Sequence, residues 1–424
     1  MKFSKLSLND WRQFANVEIE MHPRMTIITG SNGAGKTTIL RLLAQHFGWA
    51  NQFLATPQRT GGDGSRAYLT DLRPRTTPTA IPQLDSGANV AGVIIYDGGQ
   101  QANILVPQTG TVQFVAQILG QQQVTGLHIN SHRPIQGYQQ IASIPTNAIN
   151  AEQAYNGYHA EIQNKYNNSY TQFSPTYRMK EAIISMATFG AGNQYVQKNE
   201  ALEALYVTFN QILRKVLPPS VGFIELSIRV PDVVLVTETG DFVLDAASGG
   251  LMSLVDLAWQ IFLYSHNKTE FTVTLDEPEN HLHPSMQRSI LPRLMDAFPK
   301  AQFIVVTHSP FVVSSVRDSS VYVLGYKGAD SDELNSGGPK RRVNSVKLDL
   351  DSKAATANEI LRNVLGVPVT LPEWAEQDLS AITSRFNFDK LTPEGISRLR
   401  SDLKEAGLSE YYPDALRSLA KGQM

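Results

Sequence analysis

Leu6 and Leu8, then Val17, Ile19 and Met21 alternating with Glu18, Glu20 and His22, put apolar side chains on one face of two extended segments. That period of two predicts a hairpin packed against a core. A third apolar run at 25–29 leads into Gly30, and from Lys36 the period becomes helical, with Ile39, Leu40, Leu43 and Phe47 on one face. Residues 51–90, rich in Gly, Pro, Thr and Arg, read as surface loops, and short strands are expected at 90–96 and 102–106. Residues 148–216 turn polar and helical, with Tyr155, Tyr158, Ile162, Tyr166 and Tyr170 at spacings of three and four. This stripe reads as packing within a helical hairpin, with a base-stacking or partner surface as the competing reading. No heptad repeat is sustained there, so the segment is not a long coiled-coil arm.

Extended runs return at 223–230 and 233–236, followed by an apolar helix at 249–264 and core strands at 271–275 and 302–307. Beyond 330 a Gly-, Ser- and Asp-rich stretch containing Lys340, Arg341 and Arg342 reads as a linker whose basic run is solvated, with a nucleic-acid contact as the competing reading. Thr356 with Glu359 forms a capping box opening a helix expected to end near Gly366, and Thr392 with Pro393 opens another ending near Gly407. The expected organisation is an α/β unit assembled from 1–147, with a β-lobe, and 217–330, around a helical insertion at 148–216. A linker and small helical region follow at 331–424.

Composition narrows the setting. The 424 residues carry a formal charge of -2, so no whole-molecule field draws the chain to nucleic acid or an anionic membrane, and any DNA contact must be local. The opening residues lack the apolar stretch of a signal peptide, and no apolar run approaches the roughly 18 residues that span a bilayer. A cytoplasmic protein without a membrane partner is expected. The chain has no cysteine, which excludes disulfides, thiolate metal sites and a cysteine nucleophile within it.

The strongest chemical signal is Gly30-Ser31-Asn32-Gly33-Ala34-Gly35-Lys36-Thr37, set between an expected strand and an expected helix. Gly30, Asn32, Gly33 and Gly35 would let backbone N–H groups wrap phosphates at a helix N-terminus, with Thr38 beside them. Lys36 would reach the β- and γ-phosphates of ATP, and Thr37 would hold Mg²⁺. Asp276 and Glu277 end an apolar strand; the first suits the Mg²⁺ shell and the second a general base on attacking water. Ser248, Gly249 and Gly250 open a helix as an anion site distinct from the phosphate loop, which a second subunit's ATP would fill; a plain helix cap is the competing reading. His308, after the next strand, is placed to sense the γ-phosphate. His281 and His283 share an extended segment with Glu279, but no further ligand gathers beside them, so a transition-metal site is not expected.

In this order the motifs resemble those of the ABC-type ATPases. The resemblance implies an α/β P-loop head, with Walker A at Gly30 to Thr37, a signature at Ser248 to Gly250, Walker B at Asp276, catalytic Glu277, a D-loop after it and a switch histidine at His308. The opening Leu6-Ser7-Leu8-Asn9-Asp10-Trp11-Arg12-Gln13-Phe14 is similar to the SMC/RecF-like branch. Asp276-Glu277-Pro278-Glu279-Asn280-His281-Leu282-His283-Pro284 and Thr307-His308-Ser309-Pro310 resemble the ATPases of overcoming-lysogenisation-defect nucleases and of Septu and PARIS phage defence. Gly126-Leu127-His128-Ile129-Asn130-Ser131-His132-Arg133-Pro134 resembles a segment of the same defence ATPases, with Gln136 as the Q-loop candidate. The signature Ala247-Ser248-Gly249-Gly250-Leu251 departs from the transporter consensus, and no acidic nuclease motif follows His308. The resemblance implies a homodimer or higher oligomer closing on ATP, a separate nuclease or toxin effector and a phage-derived trigger. A DNA-repair or chromosome-maintenance ATPase stays open as the alternative, and DNA binding with it; the opening and the D-loop argue against a transporter subunit.

Overall fold

The computed structural model describes residues 1–49, 51–60, 65–71, 89–131, 137–328, 341–365, 372–386 and 392–421. The alternating N-terminal segments pair as an antiparallel hairpin of β1 (Phe3–Trp11) and β2 (Phe14–Glu20), with Leu6 opposite Ile19 and Leu8 opposite Val17. These four side chains are fully buried. β3 (Met25–Gly30) follows and leads into α1 (Lys36–Ala44). The lobe then adds β4 (Asn89–Tyr96), β5 (Gln101–Val106) and β6 (Gln117–Leu119), all antiparallel beside β1. β7 (Gly126–Ile129) returns to the far edge of the same sheet.

Three helices follow: α2 (Ala151–Tyr166), α3 (Pro175–Ala191) and α4 (Glu200–Val216). Their N-caps Asn150, Ser174 and Asn199 each accept from a first-turn N–H. The helices pack on one another, and α2 and α4 also pack on α5 (Gly249–Ser265), reached through a separate antiparallel sheet of β8 (Phe223–Arg229), β9 (Asp232–Thr237) and β10 (Gly240–Val243). α5 is buried without interruption from Leu251 to Leu263, because it lies between the helical layer and the sheet. Tyr158 on α2 donates to Asp256 on α5, and Tyr155 packs on Tyr264, so this part of the tyrosine stripe is packing; Tyr170 lies beyond the helix, 91% exposed.

β11 (Phe271–Asp276), α6 (Ile290–Ala297), β12 (Ala301–Val306), β13 (Ser320–Gly328) and β14 (Arg341–Lys347) complete the unit. The sheet order is β6-β5-β4-β1-β2-β14-β13-β3-β12-β11-β7, with β7, β11, β12, β3 and β13 mutually parallel. Every residue of β3, β11 and β12 is buried, the signature of parallel strands covered on both faces. The α/β class expected from the chain is the class observed.

The segment read as a linker behaves differently. β14 pairs antiparallel with β13 and parallel with β2, so the first compact unit runs from Met1 to Ile360 rather than ending at 330. Its sequence hid it because only Val343 is a buried apolar residue there, and its buried neighbour is Arg342, pairing with Asp10 at 2.5 Å and donating to the Phe14 carbonyl. Arg342 is therefore not a solvated basic residue, while Lys340 lies outside the described residues. The Thr356 capping box forms and opens a helix that is α over Ala357–Glu359 and continues with π-helical geometry over Ile360–Val364; Gly366 lies outside the described residues. The second unit, Leu361–Met424, holds α7 (Glu373–Thr383), α8 (Pro393–Glu405) and α9 (Tyr412–Lys421) around Ile382, Leu399, Leu403 and Leu408. Thr392 caps α8, and Gly407 follows it at φ 72°, a left-handed position that glycine takes without strain. No helix among the described residues is long and apolar enough to cross a membrane.

One buried charge fixes α3 to the turn that precedes Ser248. Lys180 is fully buried and donates to Asp245 and to the Gln139 carbonyl, each at 2.7 Å, with Asp232 at 3.8 Å. Lys180→Ala leaves Asp245 uncompensated and is expected to cost about 3–5 kcal/mol. The paired change Lys180→Met with Asp245→Leu is expected to recover most of that. Urea unfolding of the three proteins checks it, and a single variant as stable as the parent contradicts the assignment.

Candidate nucleotide-binding site

β3 ends at Gly30, whose φ of 141° and approach to the next strand admit only glycine: a Cβ would stand 2.2 Å from the Leu324 carbonyl oxygen. The loop turns again at Gly35, φ 93°, which is the N-cap of α1 and offers its first-turn N–H groups no side-chain acceptor. An uncapped helix start of this kind, carrying partial positive charge, suits phosphate. Lys36 is 5% exposed, and its ammonium donates to the loop's own carbonyls, Gly30 at 2.9 Å and Ser31 at 3.0 Å. Burial lowers its pKa to about 8, against the opposing pull of Glu277 and Asp276. Asn32, Gly33 and Thr37 are exposed along the same loop and helix start, and Thr38 is half-buried.

Asp276 is the last residue of β11. Burial raises its pKa to about 6, the Thr37 hydroxyl hydrogen bond acting the other way, and its Oδ1 is buried without a hydrogen-bond partner. A buried carboxylate oxygen with no partner, beside a threonine hydroxyl and a lysine, fits a hydrated Mg²⁺ on a nucleotide. Thr37 and Asp276 would hold the ion; Lys36 and the N–H groups of the loop would hold the phosphates.

Glu277 leaves the strand at φ 47°, its N–H still bonded to the Val306 carbonyl at 2.9 Å. Its carboxylate accepts from Asn280 Nδ2 at 3.1 Å and stands 3.6 Å from His308 Nε2. Burial first, then Lys36, lowers the His308 pKa, which favours the neutral ring. The structure thus brings together Lys36, Thr37, Asp276, Glu277 and His308 at the carboxyl ends of β3, β11 and β12.

Ser248 and Gly249 are exposed at the start of α5, where Ser248 Oγ accepts from the Leu251 N–H at 3.4 Å. Gly250 abuts the D-loop: a Cβ there would meet the His281 carbonyl oxygen at 2.8 Å. Ser248 therefore does cap its helix, while its exposure leaves the same end free to meet another molecule.

Sequence reasoning passed over Glu279. It is 7% exposed, accepts from the Thr307 hydroxyl and the His308 N–H, and leaves Oε2 unpartnered. It fixes the backbone that carries His308; a third acid in Asp276-Glu277-Pro278-Glu279 was the available signal. Asn280 was missed as well, and it joins Glu277 to the Ser131 carbonyl at 3.3 Å. Gln136 and residues 132–134 lie outside the described residues. His283 caps the short helix Pro284–Gln287 through Ser285, and His281 is exposed at φ 69°.

Two family models match parts of the chain: "AAA domain" over residues 5–68 and "AAA domain, putative AbiEii toxin, Type IV TA system" over 234–314. Septu protein PtuA of Bacillus mycoides is 24% identical over 337 residues, which is 76% of this chain and 40% of that protein. The probable ATPase of retron Ec83 of Escherichia coli is 37% identical over 79 residues, 18% of this chain and 15% of that protein. The chain thus spans well under half the length of these relatives. Among solved structures, the SMC head domain of Thermotoga maritima overlaps with a TM-score of 0.40 at 16% identity, covering 82% of this chain and all of that one. The chain resembles anti-phage defence ATPases, as its motifs implied, and its fold is α/β, a large mixed sheet with helices.

Asp276 gives this site two pH dependences of opposite sign. Its folded pKa, about 6, lies above the ordinary 3.8, so the stability it contributes is full below about pH 4 and is lost as pH rises through about 6. Holding Mg²⁺ needs the carboxylate, so affinity for Mg-ATP is expected to fall as pH drops through the same range. Thermal unfolding without nucleotide and calorimetry with Mg-ATP, each against Asp276→Asn, check both slopes. Profiles that Asp276→Asn leaves unchanged contradict the role.

Proposed function

We propose that this chain binds and hydrolyses ATP, closes with a second copy around it, and by closing controls a separate effector, a nuclease or toxin, in bacterial or prophage defence against phage. The observation that carries the reading is the convergence of Lys36, Thr37, Asp276, Glu277 and His308 beside an uncapped helix start. Lys36 leaves the Gly30 and Ser31 carbonyls for the phosphates, and the α1 N–H groups complete the cradle. Glu277, oriented by Asn280, takes the proton of the attacking water, and His308 meets the γ-phosphate from the end of β12. Mg²⁺, when bound, supplies the positive charge that offsets the phosphates.

Ser248 and Gly249, exposed at the start of α5, would close the site of a second copy in trans with Gly250 behind them. The defence setting is supported by the Septu and retron relatives. It is preferred over DNA repair because Arg342 of the one basic run is committed to Asp10 and is not offered to DNA.

Lys36→Ala is expected to abolish Mg-ATP binding by calorimetry while leaving the circular dichroism spectrum intact. Glu277→Gln is expected to bind ATP and lose about 10²–10⁴-fold in turnover, the usual worth of a positioned base. Plating phages on cells carrying the native operon tests the biological half: restriction is expected from the parent and from neither variant. An operon that restricts equally with Lys36→Ala contradicts the proposal.

A further inference from the structure

At the end of β11 opposite Asp276, a groove of about 380 Å³ opens between α4, the end of α5 and the turn joining α6 to β12. Its floor is apolar, with Ile212, Phe262, Phe271 and Phe298 all buried beneath it. Three lysines ring it: Lys215, Lys268 and Lys300. No carboxylate lines it; the nearby acids Asp296 and Glu270 are engaged with Lys215 at 3.3 Å and Lys2 at 3.0 Å. Lys268 lies over the Tyr264 ring at 4.8 Å. A concave apolar floor takes one large hydrophobic side chain, and a cationic rim selects for acidic flanks and against basic ones.

The groove also shares two elements with the ATP site. α5 starts at the signature residues and ends, about 25 Å away, at Ser265 in the groove. β11 starts at Phe271 in the groove and ends, about 17 Å away, at Asp276. α5 is buried from Leu251 to Leu263 and β11 throughout, and close-packed elements of this kind resist absorbing a shift along their length.

We propose that this groove docks an acidic peptide segment carrying one large apolar side chain, presented by a partner protein, and that its occupancy is coupled to the ATP site through α5 and β11. The coupling rests on the ATPase reading above; the docking does not.

A displayed random-peptide library selected on the full chain tests it. Enrichment of acidic peptides with one aromatic or leucine residue is expected. Their affinity, by fluorescence anisotropy, is expected to fall tenfold or more, about 1.4 kcal/mol or more, both in Lys215→Glu with Lys268→Glu and Lys300→Glu and in Thr208→Trp, which blocks the mouth. No enrichment, enrichment of basic peptides, or equal binding to these variants overturns the docking. Displacement of the peptide from Lys36→Ala by Mg-ATP would mean that the groove holds nucleotide, and overturns it too. In Glu277→Gln, Mg-ATP is expected to change peptide affinity severalfold. Peptide affinity that ignores Mg-ATP while calorimetry shows the nucleotide bound overturns the coupling; failure of that variant to bind ATP is instead a failure of the ATPase reading.

Discussion

Two opposite charges buried at the ends of parallel strands set the terms for the rest of the site. Lys36 and Asp276 are each almost fully inaccessible, and burial pushes both toward their neutral forms, to about 8 and about 6. Neither has the partner that would compensate it fully: the lysine makes do with loop carbonyls, and one Asp276 oxygen has no hydrogen bond. The free energy of that arrangement is offset by the packing of β3, β11 and β12, which are buried throughout. On the proposed reading, a nucleotide with its metal would supply the missing counter-charges, so the cost of burying the two charges would become selectivity for that ligand.

The head was readable where side-chain period and backbone demand coincide. The β1–β2 alternation, the apolar runs of β3, β11 and β12, and the glycines at φ 141° and 93° each follow from one local rule and are visible in the residues themselves. Pairings made at long range were not. β14 carries a buried arginine whose partner Asp10 is distant in sequence, and the single buried Val343 is too little apolar pattern to signal a strand. Glu279 and Asn280 stood in a recognised string, but their work is to hold His308 and Glu277 in place. Such positioning shows only once the strand ends are adjacent.

The helical layer is tied to the chemistry rather than hung beside it. Lys180 anchors α3 to Asp245, just ahead of Ser248, and Tyr158 anchors α2 to Asp256 on the helix that Ser248 opens. Gly250 meets the backbone of His281, four residues past Glu277. A displacement of α5 relative to the sheet would therefore move Ser248, the loop after Glu277 and the helical layer together, which on the proposed reading is how ATP would bias a partner.

The central claim is that the site is completed by a second copy. The chain contains no cysteine, so Asn32→Cys and Ser248→Cys can be placed in separate Glu277→Gln proteins and mixed. The account predicts a disulfide between the two different proteins when Mg-ATP is added, and none without nucleotide or with Lys36→Ala. Oxidation that joins them equally with and without ATP, or never joins them while ATP is bound, would contradict it.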